Sequence, residues 1–190
     1  MQLPADRELD ELTLRRAQRG EAAACRALVE RYQRPVFALV GRMLGRREGV
    51  EDLAQETFLR AFRALGDFDP RGPARLSTWL LTIATRLCID ALRRRLPEAV
   101  SLETARTLDS GARTDATAER LALGRAIELA VARLPPDQRA VVVLREWHEL
   151  DYDEIARALD LDLGTVKSRL SRARSALRQA LEEVHRVHAG

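Results

Sequence analysis

The sequence has no stretch of about 18 uncharged apolar residues, so no segment reads as a membrane-spanning helix. Its opening, MQLPADRELDEL, carries acidic residues where a secretion signal needs a basic stretch followed by an apolar one, and the expected location is the cytoplasm. Cysteine is scarce: Cys25 and Cys88 lie far apart, fit no CxxC or Cys/His zinc spacing, and sit among apolar neighbours, which predicts buried, reduced thiols. Histidine is scarce too. His185 and His188 stand three apart near the C-terminus, too few for a metal site, and His148 is isolated, so no metal is expected. A phosphate-cradling glycine loop, an HExxH helix and a nucleophile elbow are all missing, and no carboxylates cluster as metal-dependent strand cleavage requires. Catalytic residues, cofactors and a small-molecule substrate are therefore not expected. Lysine occurs once among 32 basic residues, a ratio that coding bias explains as readily as a need for bidentate phosphate contacts.

What the chain does have is enough apolar content, 46% of 190 residues, for one large core or two small ones. The net charge of +3 conceals local concentrations. Arg93, Arg94 and Arg95 form one basic cluster, and Lys167, Arg169, Arg172, Arg174 and Arg178 form another with no acid between Gly164 and Ala180. Two separated basic surfaces suit a polyanion held at two places.

Apolar residues recur at spacings of three and four, and period-two alternation is absent, so the fold is expected to be all-α. Glu8 to Arg19 reads as a helix closed by Gly20, and Glu21 to Leu44 as one kinked helix or two, because Pro35 removes a backbone donor from its middle. Val50 to Leu65 places Ala54, Phe58, Ala61, Phe62 and Leu65 on one face and leaves Asp52, Gln55, Glu56 and Arg60 pointing outward. Ser77 is a good N-cap for a helix to about Arg95, with Leu76, Leu80, Ile83, Leu87 and Ala91 as its core face. From 97 to 117 the pattern lapses into Ser, Thr, Ala and charge, which predicts a flexible linker. A second helical block begins near Ala118, pauses at Pro135 and Pro136, and resumes at Asp137. The run Val141 to Leu144 is compatible with a strand, but no partner strand exists and the preceding Pro-Pro-Asp starts a helix. The expected organisation is thus a domain over 1–96, a linker over 97–117 and a domain over 118–190.

Within the second block, Asp151 and Glu154 have capping-box spacing ahead of a two-turn helix. Leu161, Asp162 and Leu163 make a tight connection, and the helix that follows carries Val166, Leu170, Ala173, Leu177 and Leu181 as a single apolar stripe. A short helix, a tight turn and a basic second helix form a helix-turn-helix, whose second helix enters the major groove. Thr165, Lys167, Ser168, Arg169, Ser171 and Arg172 lie on its other faces near the N-terminus. Lys167, Ser168, Ser171 and Arg172 are assigned to base edges, and Arg169 and Arg174 mainly to phosphates.

The segment LPPDQRAVVVLREWHELDYDEIARALDLDLGTVKSRLSRARSAL resembles the C-terminal promoter-binding domain of extracytoplasmic-function (ECF) sigma factors of the sigma-70 family. LVERYQRPVFALVGRML, EDLAQETFLRAFRAL and STWLLTIATRLCIDALRRR resemble, in order, the N-terminal domain of the same family. The resemblance implies two helical domains, sigma region 2-like and region 4-like, that bind core RNA polymerase and read the minus-10 and minus-35 promoter elements. It implies that Asp52, Gln55, Glu56 and Arg60 dock on the clamp of the polymerase's largest subunit. It implies a minus-10 site that reads and melts DNA, with Phe68, Ser77, Thr78, Arg86 and Trp79 around an unstacked base and Arg75, Arg93 and Arg94 on phosphates. Trp79 is open between a core role and base stacking. Where the family often has Asn two positions after the IA pair, this chain has Arg86, so its minus-10 preference is expected to differ. Promoter DNA, duplex and melted, and an anti-sigma factor are the further implied partners. A linker of 20 to 25 residues at ~3.3 Å each reaches roughly 65 to 80 Å, enough for the ~50 Å of one and a half turns of DNA. Two other readings stay open: a stand-alone helix-turn-helix regulator, which normally dimerises on a palindromic site, and a metal-dependent nuclease or recombinase.

Overall fold

A computed structural model describes residues 8–95 and 115–188, and every element among them is helical. The first block holds α1 (Glu11–Gln18), α2 (Ala22–Leu44), α3 (Val50–Ala64), a 3-10 turn (Leu65–Asp67) and α4 (Leu76–Arg95). The second holds α5 (Asp115–Arg133), α6 (Pro136–Val142), which continues through a π-helical turn over Val143–Trp147, then α7 (Tyr152–Leu159) and α8 (Leu163–His188). Most of the expected linker, 97–114, lies outside the described residues, and α5 starts three residues earlier than periodicity indicates, at an acidic residue that suits a helix N-terminus.

Local chemistry sets the ends of these helices. Asp10 caps α1 by accepting from the Thr13 amide at 2.9 Å. Pro35 does not divide α2: the helix runs unbroken from Ala22 to Leu44, with Tyr32, Val36, Leu39 and Val40 buried around the proline. Packing of that turn offsets the backbone bond that proline removes. Gly45 then closes α2 at φ +67°, and a Cβ there would meet the Ala132 Cβ of α5 at 2.5 Å, so this position needs glycine for both conformation and space. Ser77 is not the N-cap of α4. The helix begins one residue earlier, the Trp79 amide donates to the Arg75 carbonyl, and the Ser77 hydroxyl is engaged elsewhere. The valine run is helical, with Pro136 in the first turn and Val141, Val142, Val143 and Leu144 all buried.

The two blocks are packed against each other. Besides α2 and α3, α4 touches α6 and α7, and α2 touches α5 and α6. The expected core face of α4 is therefore too narrow: Leu81, Ala84, Thr85 and Cys88 are buried as well, while Ile83 and Ala91 are half-buried. One apolar cluster runs from Leu14 in α1 to Ala173 in α8. At the junction the guanidinium of Arg139, itself buried, donates to the carbonyls of Met43 in the first block and of Ala132 and Leu134 in the second, the last at 3.0 Å. Burial pushes its pKa down to about 10, and it stays charged at neutral pH. Arg42 lies over the Trp147 ring at 5.3 Å, and Arg86 Nε donates to the Ala158 carbonyl at 3.1 Å.

Candidate nucleic-acid interface

The helix-turn-helix is built from caps inward. Asp151 accepts from the Glu154 amide at 2.7 Å, and the Glu154 carboxylate accepts from the Asp151 amide at 2.8 Å, completing the capping box of α7. Asp160 ends that helix at φ +55°, and the Leu161 amide donates back to the Ala156 carbonyl. Asp162 then opens α8: its carboxylate accepts from the amide and from the hydroxyl of Thr165, bonds that hold its pKa below the usual range. Val166, Leu170 and Ala173 are buried, which turns Lys167, Ser171 and Arg172 to solvent together. The Thr165 hydroxyl is turned onto Asp162 and the Ser168 hydroxyl onto the Thr165 carbonyl. Arg174 donates to Glu146 at 2.7 Å, and Arg169 lies 3.4 Å from Asp137.

In the first block, Phe68 and Trp79 meet with ring centroids 5.1 Å apart at 45°, both half-buried. Ser77 sits two residues before Trp79, and its hydroxyl donates to the Glu8 carboxylate, which also accepts from Tyr32. Thr78 is buried, and its carbonyl accepts from Thr82. Arg75 is exposed at the start of α4. Arg86 lies seven residues beyond Trp79, ~10 Å along the helix axis, and turns towards α7, so it is not beside the aromatic pair. Arg94 folds back on the Asp90 carbonyl, and Arg93 donates to Asp137 at 2.8 Å. Asp137 is thereby shared by Arg93 of α4 and Arg169 of α8. On α3, Asp52, Gln55 and Arg60 are exposed and Glu56 is half-buried in an ion pair with Arg60 at 2.7 Å, which lowers the carboxyl pKa. Leu59, 51% exposed, stands in the midst of them.

Two regional family models match the chain, Sigma-70 region 2 over residues 28–96 and Sigma-70, region 4 over residues 124–177. The chain is 36% identical to the RNA polymerase sigma-H factor of Pseudomonas aeruginosa, over 94% of this chain and 97% of that one. It is 33% identical to the ECF RNA polymerase sigma factor SigW of Bacillus subtilis, over 90% and 96%. The protein belongs to the ECF sigma-factor family. Its fold agrees: CnrH, solved in complex with the cytosolic domain of CnrY, superposes with a TM-score of 0.65 at 29% identity, covering 92% of this chain and 97% of that one. The sigma factor RpoE of Bartonella quintana, solved with the anti-sigma factor NepR, gives a TM-score of 0.65 at 24% identity over 83% and 96%.

In this sigma factor the region 2 match starts inside α2, so α1 and Glu8 lie before it. Sequence reasoning missed Glu8, Gln18, Tyr32, Asp137 and Arg139. An arginine beside a run of valines is a visible sign of a buried, bonded charge, and Arg139 could have been found that way. The Gln18 and Glu8 bonds span 24 to 69 residues and leave no local pattern. Among the described residues no group of three or more His, Cys, Asp or Glu could hold a metal ion, and no helix is long and apolar enough to cross a membrane.

Proposed function

We propose that the protein is a promoter-specificity subunit that binds core RNA polymerase and directs initiation by reading minus-10 and minus-35 elements. The observation that carries this is the occurrence, in order, of the two regional sigma-70 matches, one on each helical block. In this reading residues 1–96 bind polymerase and the minus-10 element, 97–117 tether, and 118–190 bind the minus-35 element. Lys167, Ser168, Ser171 and Arg172 read bases in the major groove and Thr165, Arg169 and Arg174 lie against the backbone. The Phe68–Trp79 pair, with Ser77 and Thr78, receives an unstacked base, while Arg75, Arg93 and Arg94 hold phosphates; Arg86, bonded to the Ala158 carbonyl in the closed form, reaches DNA only once the blocks part and then tunes the preference at a neighbouring position. Asp52, Gln55, Glu56 and Arg60 dock on the polymerase clamp, with Leu59 adding an apolar centre to that polar face. Bond making belongs to the polymerase; the sigma factor has no catalytic activity of its own and works in the cytoplasm.

The closed packing of the two blocks supports a regulated protein. Arg93 and Arg169, assigned to different promoter elements, share one carboxylate, whereas the elements stand ~50 Å apart on DNA. Both cannot be read until the blocks part. An anti-sigma factor that keeps them together is the proposed regulator, and a pull-down from uninduced cells that recovers no inhibitor would argue against it. Gel shifts on promoter duplex distinguish a sigma factor from a stand-alone regulator. Tight, specific binding is expected only with core polymerase present, and tight binding by the purified protein alone would favour the regulator.

A further inference from the structure

The aromatic pair that the proposed function assigns to an unstacked base is braced from outside region 2, by the segment just before it. Gln18, the last residue of α1, donates from Nε2 to the Leu65 carbonyl at 3.0 Å and to the Phe68 carbonyl at 2.7 Å. Both partners are acceptors, so the amide presents its two N–H bonds here and its orientation is fixed. Those carbonyls bracket the 3-10 turn and set where the chain leaves it at Phe68, whose own amide donates to Leu65. On the other flank, Glu8 accepts from Ser77 in the first turn of α4, two residues before Trp79, and from Tyr32 of α2. Leu14 and Ala17 are buried beneath α1. The segment from Glu8 to Gln18 thus holds both supports of the ring pair, the loop under Phe68 and the first turn under Trp79.

We propose that Gln18 is a positioning residue for minus-10 recognition: it fixes the Phe68 backbone so that the Phe68–Trp79 ring pair, in contact at 5.1 Å, stays in place as the platform on which one flipped base stacks. Glu8 does the same for the Trp79 side through Ser77. Neither residue needs to touch DNA. This rests on the minus-10 reading of the pair, and it adds that base discrimination is set by a helix that the region 2 match does not include. An unbraced loop would still bind the strand electrostatically, because phosphate contacts come from arginines elsewhere, but it would lose its preference at the flipped position.

The test uses holoenzyme assembled from core polymerase and full-length protein, with single-stranded minus-10 oligonucleotides matched to a promoter found by mapping transcript starts. A companion series replaces one nucleotide at a time by an abasic site, and affinities are read by fluorescence anisotropy. Wild type should lose about tenfold or more at one position, the base in the pocket. Gln18→Met keeps length and apolar volume but no donor, and should cut that ratio to about threefold or less while binding the abasic strand like wild type. Gln18→Lys, which restores a donor to the two carbonyls, should recover most of the ratio, an outcome that simple loss of packing would not give. Weakening of matched and abasic strands alike by Gln18→Met, or an unchanged ratio, overturns the positioning role. Should Gln18→Met fail to fold, the Lys variant decides alone: a retained ratio supports the role and a lost one overturns it. A wild-type holoenzyme that shows no abasic-sensitive position overturns the base pocket itself, and the brace with it.

Discussion

Two buried side chains near the junction, Arg139 and His148, carry a cost that the fold meets in different ways. Arg139 directs its charge at three carbonyls, all at the C-termini of α2 and α5 where backbone acceptors lack intrahelical partners. Arg139→Met fills similar space yet leaves those carbonyls unpaired, and should destabilise the protein by about 2 to 3 kcal/mol in urea unfolding; a loss below about 0.5 kcal/mol would mean water replaces the guanidinium fully. His148 is buried with Nε2 unpartnered, and burial, reinforced by the charge of Arg42, pushes its pKa down to about 4. The unfolded chain binds that proton near pH 6.5 and the folded chain does not, so the stability tied to neutral His148 is complete above pH 6.5 and lost as pH falls towards 4. Unfolding free energy should decline over that window by up to about 3 kcal/mol, and His148→Leu should flatten the decline. An unchanged slope in the variant would show that the histidine is not the titrating group. In the sequence His148 looks ordinary, because nothing within a few positions of it tells that it is buried and feels the charge of Arg42 on α2.

At the scale of elements, legibility follows how local the cause is. The capping box of α7 and the first turns of the α8 stripe are written within four residues of where they act and are read correctly from spacing, with Val166, Leu170 and Ala173 buried and Leu177 and Leu181 half-buried. Asp151→Ala removes one half of the box and should cost about 1 kcal/mol in thermal unfolding, with loss of minus-35 duplex binding no greater than the unfolded fraction explains. A much larger binding defect would mean that the turn itself contacts DNA. Ser77 shows the limit of such reading. A serine before an apolar run has cap chemistry, but its hydroxyl is taken by Glu8, 69 residues away, and the helix starts at Leu76 instead. The second buried face of α4 was hidden for a related reason: Leu81, Ala84 and Cys88 break a one-sided stripe because the helix is covered on two sides. For the candidate site, the exposure of Lys167, Ser171 and Arg172 follows from the α8 stripe, whereas the meeting of Phe68 with Trp79 depends on a loop path that no periodicity encodes.

For the molecule as a whole, the division into two helical blocks was legible, and their mutual packing was not. The junction rests on a guanidinium bonded to carbonyls, a glycine pressed on Ala132, an arginine over Trp147 and a carboxylate shared by two arginines. None of these forms a contiguous complementary charge pattern. The ion pairs at Asp137 are partly exposed to solvent and worth little individually, so the closed form depends on the shared apolar cluster and Arg139 and remains within reach of a competing partner. Energy transfer between dyes attached at exposed Arg63 and Arg178 should change markedly when core polymerase binds, because the two sites lie on different blocks. Transfer that is unchanged on the polymerase would contradict the opening step. The central claim is tested most directly by transcribing fragmented genomic DNA of the source organism with bacterial core polymerase, with and without the protein, and sequencing the transcript starts. The account predicts new starts that share two upstream motifs about one and a half helical turns apart and that disappear with Arg172→Ala. No new starts, together with failure to co-elute with core polymerase, would contradict it.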